Sequence, residues 1–215
     1  MRKVFVPAAA AAAMLLAVLP MTAASAAPKS DVLTITKVGG ANVKVGAVLT
    51  ASLKKGTTAN FFKPHTTTGV KCKSVSFTDK VTSNPTHPGT AKELLTKQTF
   101  NKCSSNVGGV KSVKSVTLNK LPYKTTISDS KGNPVTVYAT STTIKLNSIL
   151  GTLTCIYTAK TTKGVASNTG QTITFTNQLF TLKSGSSGCF AKGSFSATFG
   201  PVKDSSAGNA AVYIN

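Results

Sequence analysis

The chain has 215 residues, 25 of them basic and 5 acidic, for a net charge of +20. Five scattered carboxylates with no D-x-D cluster exclude the calcium loops that many β modules carry. Beyond Arg2 every basic residue is lysine, which excludes arginine-led reading of nucleic acid, and the lack of tryptophan argues against an indole platform for sugars.

The opening stretch, "MRKVFVPAAAAAAMLLAVLPMTAASAAPKS", has a short positive region at Arg2-Lys3, then an apolar run to about Leu19. Ala24-Ser25-Ala26 supplies the small residues that a signal peptidase reads, so residues 1–26 read as a cleaved signal peptide rather than a membrane anchor. Arg2-Lys3 is not a twin-arginine pair, and ordinary unfolded export is the expected route. Residues 27–215 read as a single secreted β domain, large enough to bury a core. No later segment is apolar enough to predict a transmembrane span.

Threonine and valine are abundant, and their branched Cβ atoms favour the pleated surface of a strand. "DVLTITKVGG" and "VKVGAVLTASL" read as strands joined by Gly39-Gly40-Ala41-Asn42, with Leu33 and Ile35 alternating with Thr34 and Thr36. "TANFFKP" is a short strand ended by Pro64. In "VKCKSVSFTDKV", Val75 and Phe77 share a face while Cys72 falls on the other, and a bulge between them would bring both to the core. "NPTHPGTAKELL" breaks the pattern with turn chemistry, leaving one helical turn at most over residues 90–94. "LLTKQTFNKC" resumes as a strand, "SSNVGGV" is a loop and "KSVKSVTLN" a further strand. "YKTTISDSKGNPVTVYAT" is a hairpin in which Tyr123, Thr125 and Ile127 alternate and Val135 and Val137 return. In "GTLTCIYTA", Leu153, Cys155 and Tyr157 share a face; "QTITFTN" alternates likewise, and Cys189, Ala191, Phe195, Ala197 and Phe199 share a phase in "CFAKGSFSATF". "AVYIN" is a last short strand. About ten to twelve short strands with Gly/Pro turns predict an all-β fold, an antiparallel β-sandwich or open barrel.

Cys72, Cys103, Cys155 and Cys189 are an even set in an exported chain and are expected to pair. Three connectivities are possible. Cys72–Cys103 with Cys155–Cys189 is favoured because each closes a local unit of roughly 30 residues, worth about 3–4 kcal/mol by chain entropy. With no C-x-x-C pair, neither zinc nor a free catalytic thiol is expected.

The chain's catalytic prospects are poor. Asp31, Asp79, Glu93, Asp129 and Asp204 offer no pair close in sequence for glycoside hydrolysis, and Asp129 sits in a turn where aspartate bonds its own backbone. There is no G-x-S-x-G elbow. His65 and His87 flank prolines in turn-rich stretches and read as solvated loop residues; a metal site combining them with Asp79 would rest on proximity alone. No catalytic residue, metal or cofactor is expected.

The lysines are spread over nearly every strand and loop, and no aromatic residues interleave with them to stack bases, so specific nucleic-acid binding is not expected. Such a charge suits anionic cell-wall polymers, acidic glycans or anionic lipid surfaces. It also serves solubility and keeps strand edges apart.

The segments "VLTITKVGGANVKVGAVLTASL", "TTGVKCKSVSFTDKVTSNPTHPGTAKELLTKQTFNKCSSN", "SVTLNKLPY", "LGTLTCIYTA" and "SGSSGCFAKGSFSATFGPVKDSS" together resemble a group of small exported actinomycete proteins, labelled only by their leader as signal-sequence-domain proteins. The resemblance covers the chain after its leader, all four cysteines included. It implies an extracytoplasmic β-rich domain with two disulfides, and it carries no activity and no catalytic residues. The group label often invokes the twin-arginine (Tat) route, from which this leader departs.

These readings converge on a non-enzymatic, secreted or cell-wall-associated binding or assembly module. Its expected partner is another secreted protein or an anionic wall polymer. An alternative is a subunit of a secreted antagonism (toxin) or adhesion complex, with residues 27–38 adding a strand to a partner's sheet. A secreted hydrolase using a loop histidine is a further alternative.

Overall fold

The computed structural model describes residues 29–215, together with Met1. The expected signal peptide over residues 1–26 otherwise lies outside the described residues. The chain opens with β1 (Leu33–Ile35), β2 (Ala41–Asn42), β3 (Val48–Ser52) and β4 (Ala59–Phe62). Eight strands follow: β5 (Gly69–Ser83), β6 (Thr90–Ser105), β7 (Val110–Leu118), β8 (Tyr123–Ser128), β9 (Pro134–Ser148), β10 (Gly151–Ser167), β11 (Thr172–Gly185) and β12 (Lys192–Phe199). β13 (Lys203–Asp204), a 3-10 turn at Ser205–Ala207 and β14 (Ala210–Ile214) complete it.

The fold is all-β and antiparallel, as expected, and the pairing decides between the two architectures. Hydrogen bonds run β5–β4–β12–β11–β10–β9–β8–β6 and then from β6 back to β5, so eight strands close a barrel. An even number of strands is what an all-antiparallel ring needs. The remaining short strands form a flap, β3–β13–β14–β1–β2, that leaves the ring at β5. Inward positions are apolar, among them Phe199, Leu33, Leu49, Val75, Val81 and Val135, all fully buried. Alternating strands thus put mainly apolar rows inside, joined by threonines such as Thr125, Thr140, Thr142 and Thr162, and their lysines outside.

Two places in the wall are irregular. β3 and β4 lie end to end beside β5, β3 on its later half and β4 on its first residues. In the same way β7 and β8 lie end to end along β9, interrupted at Asn119–Pro122. The interruption is fastened to β9. Asn119 N–H donates to the Ser141 carbonyl at 2.9 Å, the Asn119 amide bonds Ser141 Oγ and Thr143 Oγ1, and the Tyr123 hydroxyl accepts the Ser141 N–H at 3.0 Å. β8 continues across to β6 through residues 90–95, but no ladder joins β7 to the later half of β6. The barrel is therefore closed by pairing, with a seam between β6 and β7 that carries no ladder.

Both expected disulfides are formed, Cys72–Cys103 and Cys155–Cys189, with no free cysteine. This fits a chain matured in an oxidising environment. Cys72 and Cys103 are direct cross-strand partners on β5 and β6. Cys189 was expected on a strand but lies in the loop after β11, so its bridge ties that loop to β10. Both bridges sit at the end of the barrel that carries the β6–β7 and β9–β10 turns. The flap covers the opposite end.

Three further expectations are corrected. Residues 90–94 are the start of β6, not a helical turn, because pairing to β5 on one side and β8 on the other outweighs the helix propensity of Lys-Glu-Leu-Leu. Ala41-Asn42 is not only a turn but a short strand on β1. Cys72 and Val75 are both buried, as the proposed bulge intended, but the β5–β6 register stays in step. The change of face is absorbed by Lys73 and Ser74, both exposed, opposite Lys102 with its positive φ of 51°.

Candidate functional site

Asp79 continues the inward row of Val75 and Phe77, and Val81 follows it. On β6 the inward row is Ala91, Glu93 and Leu95, and Glu93 lies opposite Val81 on one side and Thr125 of β8 on the other. Asp79 is thus the diagonal neighbour of Glu93, within reach across the sheet. Three adjacent strands place Asp79, Glu93 and Thr125 side by side inside the barrel, with relative exposures of 6%, 2% and 2%.

The two carboxyl groups are close enough that a proton held on Glu93 would lower the pKa of Asp79 and raise that of Glu93. Burial pushes Asp79 up to about 7. Burial, then the charge and hydrogen-bonding reach of Asp79, hold Glu93 well above the usual carboxylate range. Asp79 Oδ1, Glu93 Oε1 and Thr125 Oγ1 have no hydrogen-bond partner. Such orphaned buried oxygens are costly, and three together mark the chain's most unusual chemistry. Both carboxyls are buried on neighbouring strands, unlike the acids of a glycosidase, which face an open cleft with room for a sugar between them.

Asp79 and Thr125 line an interior cavity of about 90 Å³ whose other walls are chiefly apolar, including Phe61, Phe77, Phe175, Phe180 and Phe199. The rings pack edge-on and tilted, Phe61 against Tyr157 at 4.8 Å and Phe77 against Phe199 at 5.3 Å. Glu93 lines a smaller space of about 30 Å³ under the flap, so the carboxyl pair stands between the two. Gln98 and Phe100 of β6 and Val116 and Leu118 of β7 line the larger cavity too. All four are half-buried, and they lie on the two strands of the unladdered seam.

The histidines are not brought together. His65 is exposed in the β4–β5 loop and His87 lies in the β5–β6 turn, so the full length of β5 separates them, and Asp79 faces the core. Among the described residues no three His, Cys, Asp or Glu side chains are grouped as a metal site would need. His87 is more than a solvated loop residue: its Nδ1 lies 2.8 Å from Asp129 Oδ2. Asp129 was expected to bond its own turn. It accepts instead the Gly89 N–H at 2.8 Å, linking the β8–β9 turn to the β5–β6 turn.

The acids are unevenly placed. Asp79, Glu93 and Asp204 are buried, and the Asp129 side chain is only 3% exposed. Asp204 caps the 3-10 turn by accepting the Ser206 N–H. Among the described residues no lysine lies within ion-pairing distance of a carboxylate. The outer face thus carries positive charge with almost no counter-charge of its own. Tyr157, read as core, is buried, as is Tyr123, whereas Tyr138 is exposed beneath Lys124.

Among the described residues no helix is long and apolar enough to cross a membrane, a statement about helices alone. Alternation puts Val75 with Phe77 on one face and Thr125 in phase with Tyr123 and Ile127, and continuing the first row by two residues reaches Asp79. Glu93 was missed because its segment was read as a break in the β pattern. Compared with protein-family models, curated proteins and solved structures, the chain matches none.

Proposed function

We propose that the protein is a non-enzymatic, secreted module that is held at the cell wall by anionic polymers. The observation that carries this is the withdrawal of carboxylates from the surface. Four of five acids are buried or capped, no lysine is paired among the described residues, and the net charge is +20. A solubilising surface usually mixes both signs, whereas this one is nearly single-signed. Lysine is a well-hydrated point charge, suited to a flexible polymer of phosphodiesters or carboxylates without shape-specific recognition. Export rests on the leader and on the two disulfides.

The reading of residues 27–38 as a strand donated to a partner has little support. β1 is paired on both sides within the flap, and Val32 and Leu33 are fully buried. Removing that segment would strip the core rather than free an edge.

The test is sedimentation of the intact protein with purified cell walls across a salt series. Retention at low salt that falls steeply toward about 0.5 M, as screening shortens the Debye length, is expected. Retention that ignores salt, or no retention on walls bearing anionic polymers, defeats the proposal, as does hydrolysis of the wall.

A further inference from the structure

We infer that the tip of the β9–β10 hairpin, Ile149-Leu150, docks on an anionic lipid bilayer, with the neighbouring lysines seated among the lipid head groups. This inference does not depend on retention by wall polymers.

The tip is at odds with its own turn. β9 ends at Ser148 and β10 begins at its cross-strand partner Gly151, so the connection is Ile149 and Leu150 alone. Two-residue loops favour asparagine, aspartate and glycine, and large apolar side chains do nothing for the turn itself. The β8–β9 and β10–β11 turns follow the rule, with Asp129-Ser130-Lys131-Gly132-Asn133 and Asn168-Thr169-Gly170-Gln171. Ile149 is 67% exposed and Leu150 91%. Among the described residues no other two exposed large apolar residues are adjacent in the chain.

The tip is anchored where it stands. Leu150 N–H donates to Ser148 Oγ at 3.1 Å, and Ser148 Oγ donates to the Gly151 carbonyl at 2.8 Å. Ile149 N–H donates to the Gly109 carbonyl at 2.9 Å, which joins the tip to the β6–β7 turn. Gly109 has a positive φ of 75°, and a Cβ there would sit 3.7 Å from the Ile149 side chain. Ile149 thus rests on a glycine turn, and Leu150 is left as the most exposed part of this end.

Charge selects the surface that this end meets. Asp31 bridges to Thr86 in the β5–β6 turn, Asp129 fastens that same turn, and Asp204 belongs to the flap. Asp79 pairs with Leu49 of the flap, and Glu93 lies under it. All five acids of the chain are therefore in the flap half. The half that ends in Ile149-Leu150 has none, and it carries Lys71, Lys102, Lys111, Lys114, Lys145 and Lys183, all exposed. Lys111 sits in the bulge between Val110 and Ser112, which pair with Ser148 and Asn147. At about 3.3 Å per residue, Lys111 lies roughly 7 Å back from the tip and Lys145 about 13 Å. Surface-bound apolar side chains enter by about 5–10 Å, so Lys111 reaches the phosphates as Leu150 reaches the acyl boundary. An uncharged bilayer would leave the lysines without partners, and a soluble polyanion would leave the apolar pair in water. A second copy would bring its own lysines against these. An anionic bilayer satisfies both the charge and the apolar tip.

The test sediments the oxidised protein, residues 27–215 with the whole barrel and flap, with vesicles of phosphatidylglycerol or of phosphatidylcholine. Binding to phosphatidylglycerol is expected to be at least about tenfold tighter. The double variant Ile149→Asn, Leu150→Gly keeps the charge and supplies the residues that such a turn prefers, so it should fold. Its binding to phosphatidylglycerol should fall at least about tenfold, while its retention by cell walls stays the same. The chain has no tryptophan, so Leu150→Trp places a single reporter whose emission should shift to the blue on phosphatidylglycerol. Equal vesicle binding by the double variant and the unaltered protein means that charge acts alone, and overturns the tip. Absence of binding to phosphatidylglycerol overturns the bilayer. Self-association that the double variant abolishes, without vesicle binding, assigns the tip to a second copy and overturns the bilayer too. Failure to be retained by walls, with vesicle binding intact, defeats the wall proposal alone.

Discussion

Asp79 and Glu93 are diagonal neighbours across the β5–β6 ladder, and both carboxyl groups are buried inside the barrel. Burial is the main cause of both raised values, with Asp79 at about 7. The folded state therefore keeps protons that the unfolded chain releases from about pH 4 upward. The sign follows: this contribution to stability is complete below about pH 4 and is lost as pH rises toward and beyond 7, by about 1.4 kcal/mol per unit for each extra proton held. Urea midpoints at pH 5 and pH 8 should show the lower value at pH 8. The double variant Asp79→Asn, Glu93→Gln should flatten the dependence. A midpoint in the unaltered protein that does not move with pH would contradict the raised values.

The disulfides close loops of similar length, with sequence separations of 31 and 34. Replacing either pair by serine should cost about 3–4 kcal/mol by the chain-entropy account, read from denaturant unfolding. Intact mass before and after reduction should differ by two hydrogens per bridge. No mass change on reduction would refute the pairing.

Asp129 holds two turns together through a backbone N–H and an imidazole. Asp129→Ala leaves the Gly89 N–H short of its acceptor and should cost about 1–3 kcal/mol. His87→Ala removes only the partner whose side chain is 46% exposed, and should cost less than about 1 kcal/mol. Thermal unfolding of both variants checks the order, and a larger loss for His87→Ala would reverse the assignment.

The missing ladder between β6 and β7 should show in amide exchange. Over residues 97–105, β6 is laddered on one side only, while residues 90–95 are laddered on both. The amides of 97–105 that point away from β5 should exchange well before those of 90–95. Equal protection along the whole of β6 would mean that β7 closes on β6 in solution.

Much of the fold was legible from alternation and turn chemistry. Val75–Phe77, Tyr123–Thr125–Ile127 and Leu153–Cys155–Tyr157 announced strands and their inward faces, because a two-residue period can satisfy only one buried side. The favoured cysteine pairing held, since local closure of β5 on β6 and of β10 on the β11–β12 loop needs no distant rearrangement. Glu93 escaped notice because Lys-Glu-Leu-Leu after a proline-rich turn has helical character, and nothing local says that two ladders will claim it. Thr125 shares the phase of Tyr123 and Ile127, but nothing local shows that its hydroxyl goes unpartnered in the core.

The amino-acid sequence by itself determined the class of fold, the disulfide framework and the excess of lysine, because each follows from local period, cysteine count or composition. Only the tertiary structure decided that the sheet closes into a ring, that β7 forms no ladder with β6, and that Asp79, Glu93 and Thr125 meet inside the barrel. Those facts depend on which strands pair across long separations in the chain. Such pairings are set by the summed hydrogen bonds and apolar burial of the whole barrel, which no single stretch of residues carries.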